Sequence, residues 1–472
     1  MKAIITVGLG FGDEGKGAIV DFLVRELQAG LVVRYSGGAQ VGHNVELPDG
    51  RRHTFSQFGA GTFAGARTWL GPRMIVSPAT LTPEAKHLAS LGMADPWSLL
   101  SAHPAALVST SYHVAMNRLR ELARGDARHG SCGLGIGETR HYWLKYGADT
   151  VTMGDLADRR RLVEKLTLLR DRLLLEMQDL PHIDRKWAGE LHDTFPAAEA
   201  DLLQRSAARI ATTATMPPAD TVIFEGAQGV LLDEWHGFHP YTTWSTVTPL
   251  HAREIAAEHG ITDVTVLGLT RAYSTRHGAG PFPTWDREFT AALADHGNPT
   301  NAWQGSLRAG PLDPVLLDYA VRVCQVDALA VTCLDQLPAR PRVATRYAGL
   351  DRLPIPASLR EQGELTRLLE TAAPIYRDSS ARDILALLEQ FAPVAITSAG
   401  PKSTDIQWSA RSASGGGVDD LALRQVVPGK VVGDRFRSPT NASRRCPERT
   451  TPTAPAAAGG PTPPGERGAR AA

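Results

Sequence analysis

The stretch Gly8 to Lys16, GLGFGDEGK, constrains this chain more than any other. It follows the apolar run Ala3–Val7, and the order predicts a strand, a glycine-rich turn and a helix over Ala18–Leu27. Gly10 to Lys16 fits G-x-x-x-x-G-K, the spacing of a phosphate cradle. Glycines let several backbone N–H groups converge on phosphate oxygens, and the helix N-terminus adds partial positive charge. Lys16 would reach the outer phosphates. Gly17 stands where such loops usually carry the Ser or Thr that holds Mg²⁺. Asp13, inside the loop, could supply an oxygen to Mg²⁺ instead. The plainer reading is a turn that merely joins strand to helix.

The remaining strands repeat this arrangement. Leu31–Tyr35 reads as a second buried strand and runs into SGGAQVGHN, Ser36 to Asn44, where His43 is the polar group of interest. Thr221–Phe224 leads into EGAQG, Glu225 to Gly229. Asp263–Leu269 leads into Thr270–Trp285, Ala328–Cys333 into Leu334-Asp335, and Pro393–Thr397 into SAGP, Ser398 to Pro401. Met74–Ser77 reads as a short strand, and Pro83–Leu91 and Tyr112–Arg124 as helices. Leu162–Met177 is a helix whose Leu162, Leu166, Leu169 and Leu173 form a core stripe. HGSCGLGIGE, His129 to Glu138, alternates glycine with small or apolar residues and suits either a ligand or a mobile loop. Strands ending in Gly, Ser, Thr or Asp, with helices between, predict a mostly parallel α/β sheet with its site along the strand C-termini.

Composition excludes several classes. The chain has 472 residues, 43% hydrophobic and 21% charged, with a formal net charge of zero. No global field favours nucleic acid or an anionic membrane. No apolar run reaches the roughly 18 residues of a membrane span. The N-terminus passes straight into the loop, so no signal peptide is expected. Cys132, Cys324, Cys333 and Cys446 lack metal or disulfide spacing, which suits free thiols in the cytoplasm. Past residue 408 the chain turns rich in Ser, Gly, Pro and Ala. Residues 1–408 are therefore expected to form the folded domain and 409–472 a disordered tail.

Four motifs together resemble the adenylosuccinate synthetase family. They are GDEGKG (Gly12–Gly17), RYSGGAQVGHN (Arg34–Asn44), FEGAQG (Phe224–Gly229) and AYSTRHGAGPFPT (Ala272–Thr284). The likeness runs from about Lys2 to Pro401. It implies a large, mostly parallel sheet with helical insertions and a GTP-dependent ligase. Such an enzyme phosphorylates the 6-oxygen of inosine monophosphate, then lets the amine of aspartate displace the phosphate. By resemblance, Asp13 is the general base at N1 and a Mg²⁺ ligand. His43 binds the 6-oxygen and the departing phosphate, and the Gly42 carbonyl is a second Mg²⁺ ligand. The same resemblance assigns GTP to Gly12, Glu14, Gly15, Lys16, Gly17, Gly42, Asn44, Arg308, Leu334, Asp335, Ser398, Ala399 and Gly400. It assigns the purine nucleotide to Gln40, Val41, Cys132, Lys145, Gln228 and Thr243, with Lys145 reaching across a homodimer. Cys132 stands near a family Thr and Lys145 near a family Arg. Cys333 stands in the Lys place of a Lys-Leu-Asp guanine triplet.

The main departure is TNAWQGSLRAGPLD, Thr300–Asp313. The family has an arginine run here that grips the aspartate carboxylates, whereas this chain keeps only Arg308. The resemblance therefore implies either an ordinary adenylosuccinate synthetase or a diverged paralogue using another purine nucleotide or amine. A nucleotide-binding regulatory protein without catalysis is a third reading, against which Asp13 and His43 both argue.

Overall fold

The structure, a computed structural model, describes residues 1–125, 128, 130–293 and 306–409. Thr300–Gly305 of the altered loop, and all of the expected tail except Ser409, lie outside these residues.

Ten strands form one sheet. From edge to edge they are Ile406–Trp408, Val394–Ser398, Ala328–Thr332, Asp263–Arg271, Lys2–Gly8, Thr221–Gly229, Leu31–Arg34, Arg67–Leu70, Leu100–Ala102 and Ala211–Thr212. All neighbours pair parallel except Ile406–Trp408, which closes one edge antiparallel. Lys2–Gly8 lies at the centre, registered as Ile4 opposite Ile223 on one side and Thr265 on the other.

Both faces of the sheet are covered. Ile4, Val32 and Ile223 belong to one apolar cluster, while Ala3, Ile5, Leu31, Val33, Val222 and Phe224 belong to the other. The side chains alternate between faces, so a strand buried on both sides reads as an unbroken apolar run. That is why the central strands were legible in the sequence. Their common direction brings Gly8, Arg34, Gly229, Arg271, Thr332 and Ser398 to one edge.

Several boundaries differ from the sequence reading. The first helix is Lys16–Glu26 and begins at the lysine of the cradle. The helix expected over Pro83–Leu91 starts earlier, at Pro78, a proline well suited to a first helical position, and Pro83 lies inside it. The strand expected at Met74–Ser77 is only Ile75–Val76, paired with Leu107–Val108 in a separate small sheet. The glycine-rich stretch after Gly130 ends in a helix, Ile136–Tyr146, whose N-cap Gly135 is left-handed at φ 74°. The two-stranded ribbon of Ser274–His277 and Leu307–Gly310 was not foreseen.

The helix Ser111–Ala123 carries a fully buried histidine, His113, whose Nδ1 accepts from the Thr110 N–H at 3.2 Å. Burial pushes its imidazole down to about 3. The unfolded chain therefore binds a proton between about pH 6.5 and 3 that the native chain does not. Stability is intact above the unfolded value and falls with falling pH, by up to about 1.4 kcal/mol per unit. Urea denaturation across this window is expected to show a shallower pH slope for His113→Asn than for the parent. Equal slopes would show that the ring is not held neutral.

Candidate active site

Glycines set the geometry at the end of the central strand. A Cβ on Gly229 would lie 2.2 Å from the Gly10 carbonyl oxygen and 2.4 Å from the Gly12 nitrogen. A Cβ on Gly8 would lie 2.7 Å from the carbonyl oxygen of Gln228. The EGAQG segment is thus packed backbone to backbone against the phosphate loop. Gly17 has the same kind of reason. A Cβ there would sit 2.7 Å from the Asn44 carbonyl oxygen and 2.8 Å from the carbonyl carbon of His43. The usual Ser or Thr has no room, because the strand His43–Glu46 passes against the helix start. Gly17 and Asn44 therefore meet, and His43 is brought to the phosphate loop.

Within the loop, Gly12 (φ 99°), Asp13 (φ 64°) and Gly15 (φ 79°) are all left-handed. The Gly10 and Gly12 N–H groups donate to Glu14 Oε1 at 3.0 and 2.8 Å, and Lys16 Nζ lies 2.6 Å from Glu14 Oε2. Glu14 and Lys16 are both buried. The donors expected to face phosphate are satisfied here by the loop's own carboxylate.

Asp13 is held at both ends. Arg271 Nε donates to its carbonyl, and His277 Nε2 lies 3.4 Å from its Oδ2. The Asp13 side chain is 28% exposed. His43 is held more tightly. Its Nδ1 bonds Glu225 Oε1, and the second Glu225 oxygen accepts from the Ala60 N–H at 3.0 Å. Burial pushes His43 down to about 4, with the cations Arg34 and Lys16 acting in the same sense against Glu225. Burial raises Glu225, but Arg34 and His43 more than offset this and hold it below its ordinary value. The pair is a neutral imidazole donating Nδ1–H to an ionised carboxylate. Its Nε2 is buried without a partner. Glu225, Arg34, Arg271 and His277 were not singled out from the sequence. Glu225 had a signal, an acidic residue inside an apolar strand.

The other candidates fall into groups. Thr332 Oγ1 donates to the Glu14 carbonyl at 3.1 Å, so the strand leading to Leu334 and Asp335 ends beside the loop. These two lie in a short 3₁₀ turn after Cys333, itself left-handed at φ 60°. Ser398, Ala399 and Gly400 turn tightly at the end of the neighbouring strand, with Ser398 Oγ donating to the Gly400 carbonyl at 2.8 Å. On the other side, the Oε1 atoms of Gln40 and Gln228 are buried without partners. Val41 N–H bonds the Gly38 carbonyl at 3.3 Å, and a Cβ on Gly38 would meet Ile136 Cδ1 at 2.8 Å. The segment holding Cys132, just before the Ile136 helix, therefore lies near the second glycine loop. Burial pushes the Cys132 thiol up to about 11, so it is a neutral thiol. Thr243 bonds the Leu232 carbonyl through its N–H at 2.8 Å. A cavity of about 380 Å³ opens between Gly37, Ile75, Trp143, Trp244 and Thr246.

Two basic candidates are already engaged. Lys145 Nζ lies 2.6 Å from Glu176 Oε1 and over the Tyr146 ring. Arg308 Nη2 donates to the carbonyls of Gly278 and Gly280 at 2.6 and 3.0 Å, with the guanidinium over Phe282 and Trp285.

The family model described as adenylosuccinate synthetase matches residues 5–391. This chain belongs to the adenylosuccinate synthetase family. It is 35% identical over 347 residues to the adenylosuccinate synthetase of Pseudomonas aeruginosa, covering 71% of this chain and 78% of that one. It is 31% identical over 429 residues to that of Marinomonas, covering 85% and 96%. The fold matches adenylosuccinate synthetase from Plasmodium falciparum with a TM-score of 0.71 at 20% identity, covering 87% of this chain and all of that one. A cyanophage succinoaminodeoxyadenylate synthetase matches with a TM-score of 0.54 at 19% identity, covering 86% and 95%. The family's enzymes are C–N bond-forming ligases with GTP as co-substrate, and this chain is a ligase of that type.

Glu225 is expected to be worth more to the site than its backbone bond suggests. Glu225→Ala leaves the His43 Nδ1–H without its acceptor and the nearby buried Arg34 without a balancing negative charge, so a loss of stability of roughly 1–3 kcal/mol or more is expected. Glu225→Gln keeps a hydrogen-bonding group and is expected to lose less. Denaturant titration of both variants measures this, and equal stability of Glu225→Ala and parent would refute the buried pair.

Proposed function

We propose that the chain activates the 6-oxygen of a purine nucleotide, inosine monophosphate by default, with GTP and joins it to an amine, L-aspartate by default. The observation that carries this reading is the Gly17–Asn44 contact, which brings the acid–base residue His43 to the loop holding Asp13 and Lys16. A protein that only bound nucleotide would have no use for two polar side chains braced in this way. Asp13 takes the N1 proton, making the 6-oxygen nucleophilic. Lys16 and the loop amides, released from Glu14, hold the transferring phosphoryl group, where catalysis is mainly positioning and charge neutralisation. His43 Nε2 faces the 6-oxygen and its phosphate. A dianion arriving there favours protonation of the ring, which then donates to the leaving phosphate while Glu225 stabilises the imidazolium.

Among the described residues, no cluster of three or more His, Cys, Asp or Glu is placed to hold a metal. This fits Mg²⁺, which commonly binds through one or two carboxylates and the substrate phosphates. Asp13, with one oxygen turned to His277 and the group partly exposed, and the Gly42 carbonyl are the proposed protein ligands. Mg²⁺ when bound neutralises phosphate charge. Asp335 would accept from the guanine N1–H and 2-amino groups, which favours GTP over ATP. The proposal includes a homodimer working in the cytoplasm on small molecules, without nucleic acid or membrane. Among the described residues no helix is long and apolar enough to cross a membrane.

A second reading, another amine than aspartate, is favoured by the ribbon at Leu307–Gly310. Ser306 and Leu307 bring no charge, and Arg308 is committed to two carbonyls. Losing a buried charge partner commonly costs about 2–5 kcal/mol, roughly 30- to several-thousand-fold in affinity. Phosphate release is measured over GTP and ATP, inosine, guanosine and deoxyguanosine monophosphates, and a panel of amines. The cyanophage protein is described as bound to dGMP with dATP as energy donor, which is why the wider nucleotides are included. GTP-dependent turnover of inosine monophosphate is expected, with a high KM for aspartate. No phosphate release with any combination would refute the ligase reading, and a low-micromolar KM for aspartate would refute the second one. Asp13→Ala and His43→Ala are expected to lower kcat by about 10²–10⁴ while circular dichroism and melting stay close to the parent. Near-parental turnover by either would sink its assigned role.

A further inference from the structure

We infer that His277 is a positioning residue for Asp13, a role that rests on the proposed ligase reading. The inference begins with the conformation of Asp13. It is a non-glycine residue in the left-handed region, at φ 64°, on a loop between two left-handed glycines. Such a loop does not by itself fix where the carboxylate points. Arg271 fixes only its backbone carbonyl. Among the side-chain contacts found in the described residues, the one that reaches the carboxylate is His277 Nε2, 3.4 Å from Oδ2. Nε2 is the ring nitrogen turned toward this oxygen, while Nδ1 is buried without a hydrogen-bond partner. His277 thereby sets the direction of the carboxylate that the proposed reading gives to Mg²⁺ and to N1–H.

His277 is itself built to stay in place. It is the last residue of Ser274–His277 and pairs with Leu307 across the ribbon. The residue before it, Arg276, is 1% exposed. Arg276 donates to the carbonyls of Ala279 and Pro281 at 3.0 and 2.8 Å, and its guanidinium lies 4.1 Å from the ring centroid of Phe11. Phe11 belongs to the phosphate loop, two residues before Asp13. Arg308, opposite Arg276, ties the turn from the other strand through Gly278 and Gly280. The ribbon thus grips the loop twice, at Phe11 through Arg276 and at Asp13 through His277. Its turn also reaches the purine side, since a Cβ on Gly280 would lie 2.7 Å from Tyr241 Cγ, two residues before Thr243. The base is therefore aligned by the same ribbon that closes against the nucleotide loop.

Alignment of a reacting group is worth about 10²-fold per ångström of misplacement, and it appears in kcat rather than in ground-state binding. The test uses the full chain and compares His277→Leu, which removes the donor, with His277→Gln, which keeps an N–H donor on a flexible arm. With inosine monophosphate, GTP and the best amine of the panel, His277→Leu is expected to lower kcat by about 10- to 100-fold. Its KM values for both nucleotides should stay within about twofold, and His277→Gln should recover part of the loss. Parental kcat in His277→Leu, or equal losses in both variants with raised KM values, would overturn the role. The contact is read separately, without turnover, from long-range ¹H–¹⁵N spectra of the histidine-labelled chain. The Nε2 resonance of His277 is expected to move in Asp13→Ala. An unmoved resonance overturns the inference whatever the enzyme's substrates. An inactive parent with a moved resonance overturns the ligase reading instead and leaves the Asp13–His277 contact established.

Discussion

Everything at this site depends on how closely backbones can approach one another at the end of the central strand. Three segments from distant parts of the chain meet there: the phosphate loop, the strand beginning at His43, and the end of the Thr221–Gly229 strand. They meet through Gly17 and Gly229, where any side chain would fall within 3 Å of neighbouring backbone atoms. Overpacking of this kind commonly costs about 1–3 kcal/mol, and here it would also push the three segments apart. Omitting a Ser or Thr after Lys16 is therefore part of the design. The space it would occupy is taken by the strand that supplies His43. With no room for a hydroxyl there, the proposed Mg²⁺ site relies on Asp13, four residues earlier.

The same closeness makes the centre dry, and the charges there are arranged accordingly. Glu225 is fully buried between His43, Arg34 and the Ala60 N–H. An unpaired carboxylate in such a place would take up a proton; the two cationic or donor neighbours keep it ionised. Its negative charge then sets which nitrogen of His43 is free. In the phosphate loop the solution is different. Lys16 and two amides would be unpaired in a dry cradle, and Glu14 satisfies them. One carboxylate is fixed in its role, while the other competes with the very group the loop is shaped to hold.

The sequence made some of this legible and hid the rest, for physical reasons. Strands buried on both faces read as continuous apolar runs, so the Lys2–Gly8, Leu31–Arg34 and Asp263–Arg271 strands were plain. Glycine clusters after them pointed to a site along one edge. The edge strands Ala211–Thr212 and Ile406–Trp408, and Leu100–Ala102 beside the first of them, are two or three residues long, too short for any period to show. Side chains that hold other side chains were also hidden. His277 and Arg271 earn their places only through the folding of Asp263–His277 back over the loop, and no spacing announces a partner some 260 residues away. Lys145 shows another hidden partner: Glu176, 31 residues later, lies against it in the same chain.

Arg308 carries the argument about the amine furthest. A guanidinium that stacks on two aromatic rings and donates to two carbonyls from one nitrogen has become part of the scaffold. Burial holds it below its ordinary value, and it in turn depresses Arg276, which burial pushes down to about 9. Two desolvated guanidiniums side by side repel one another and tolerate this only because backbone carbonyls surround both. Withdrawing Arg308 to grip a carboxylate would leave those carbonyls unpaired and open the turn that braces His277. On the proposed reading, a single arginine that served a dicarboxylate here would loosen the residue that braces the proposed base. An amine that makes no such demand is compatible with both the ribbon and the chemistry beside it.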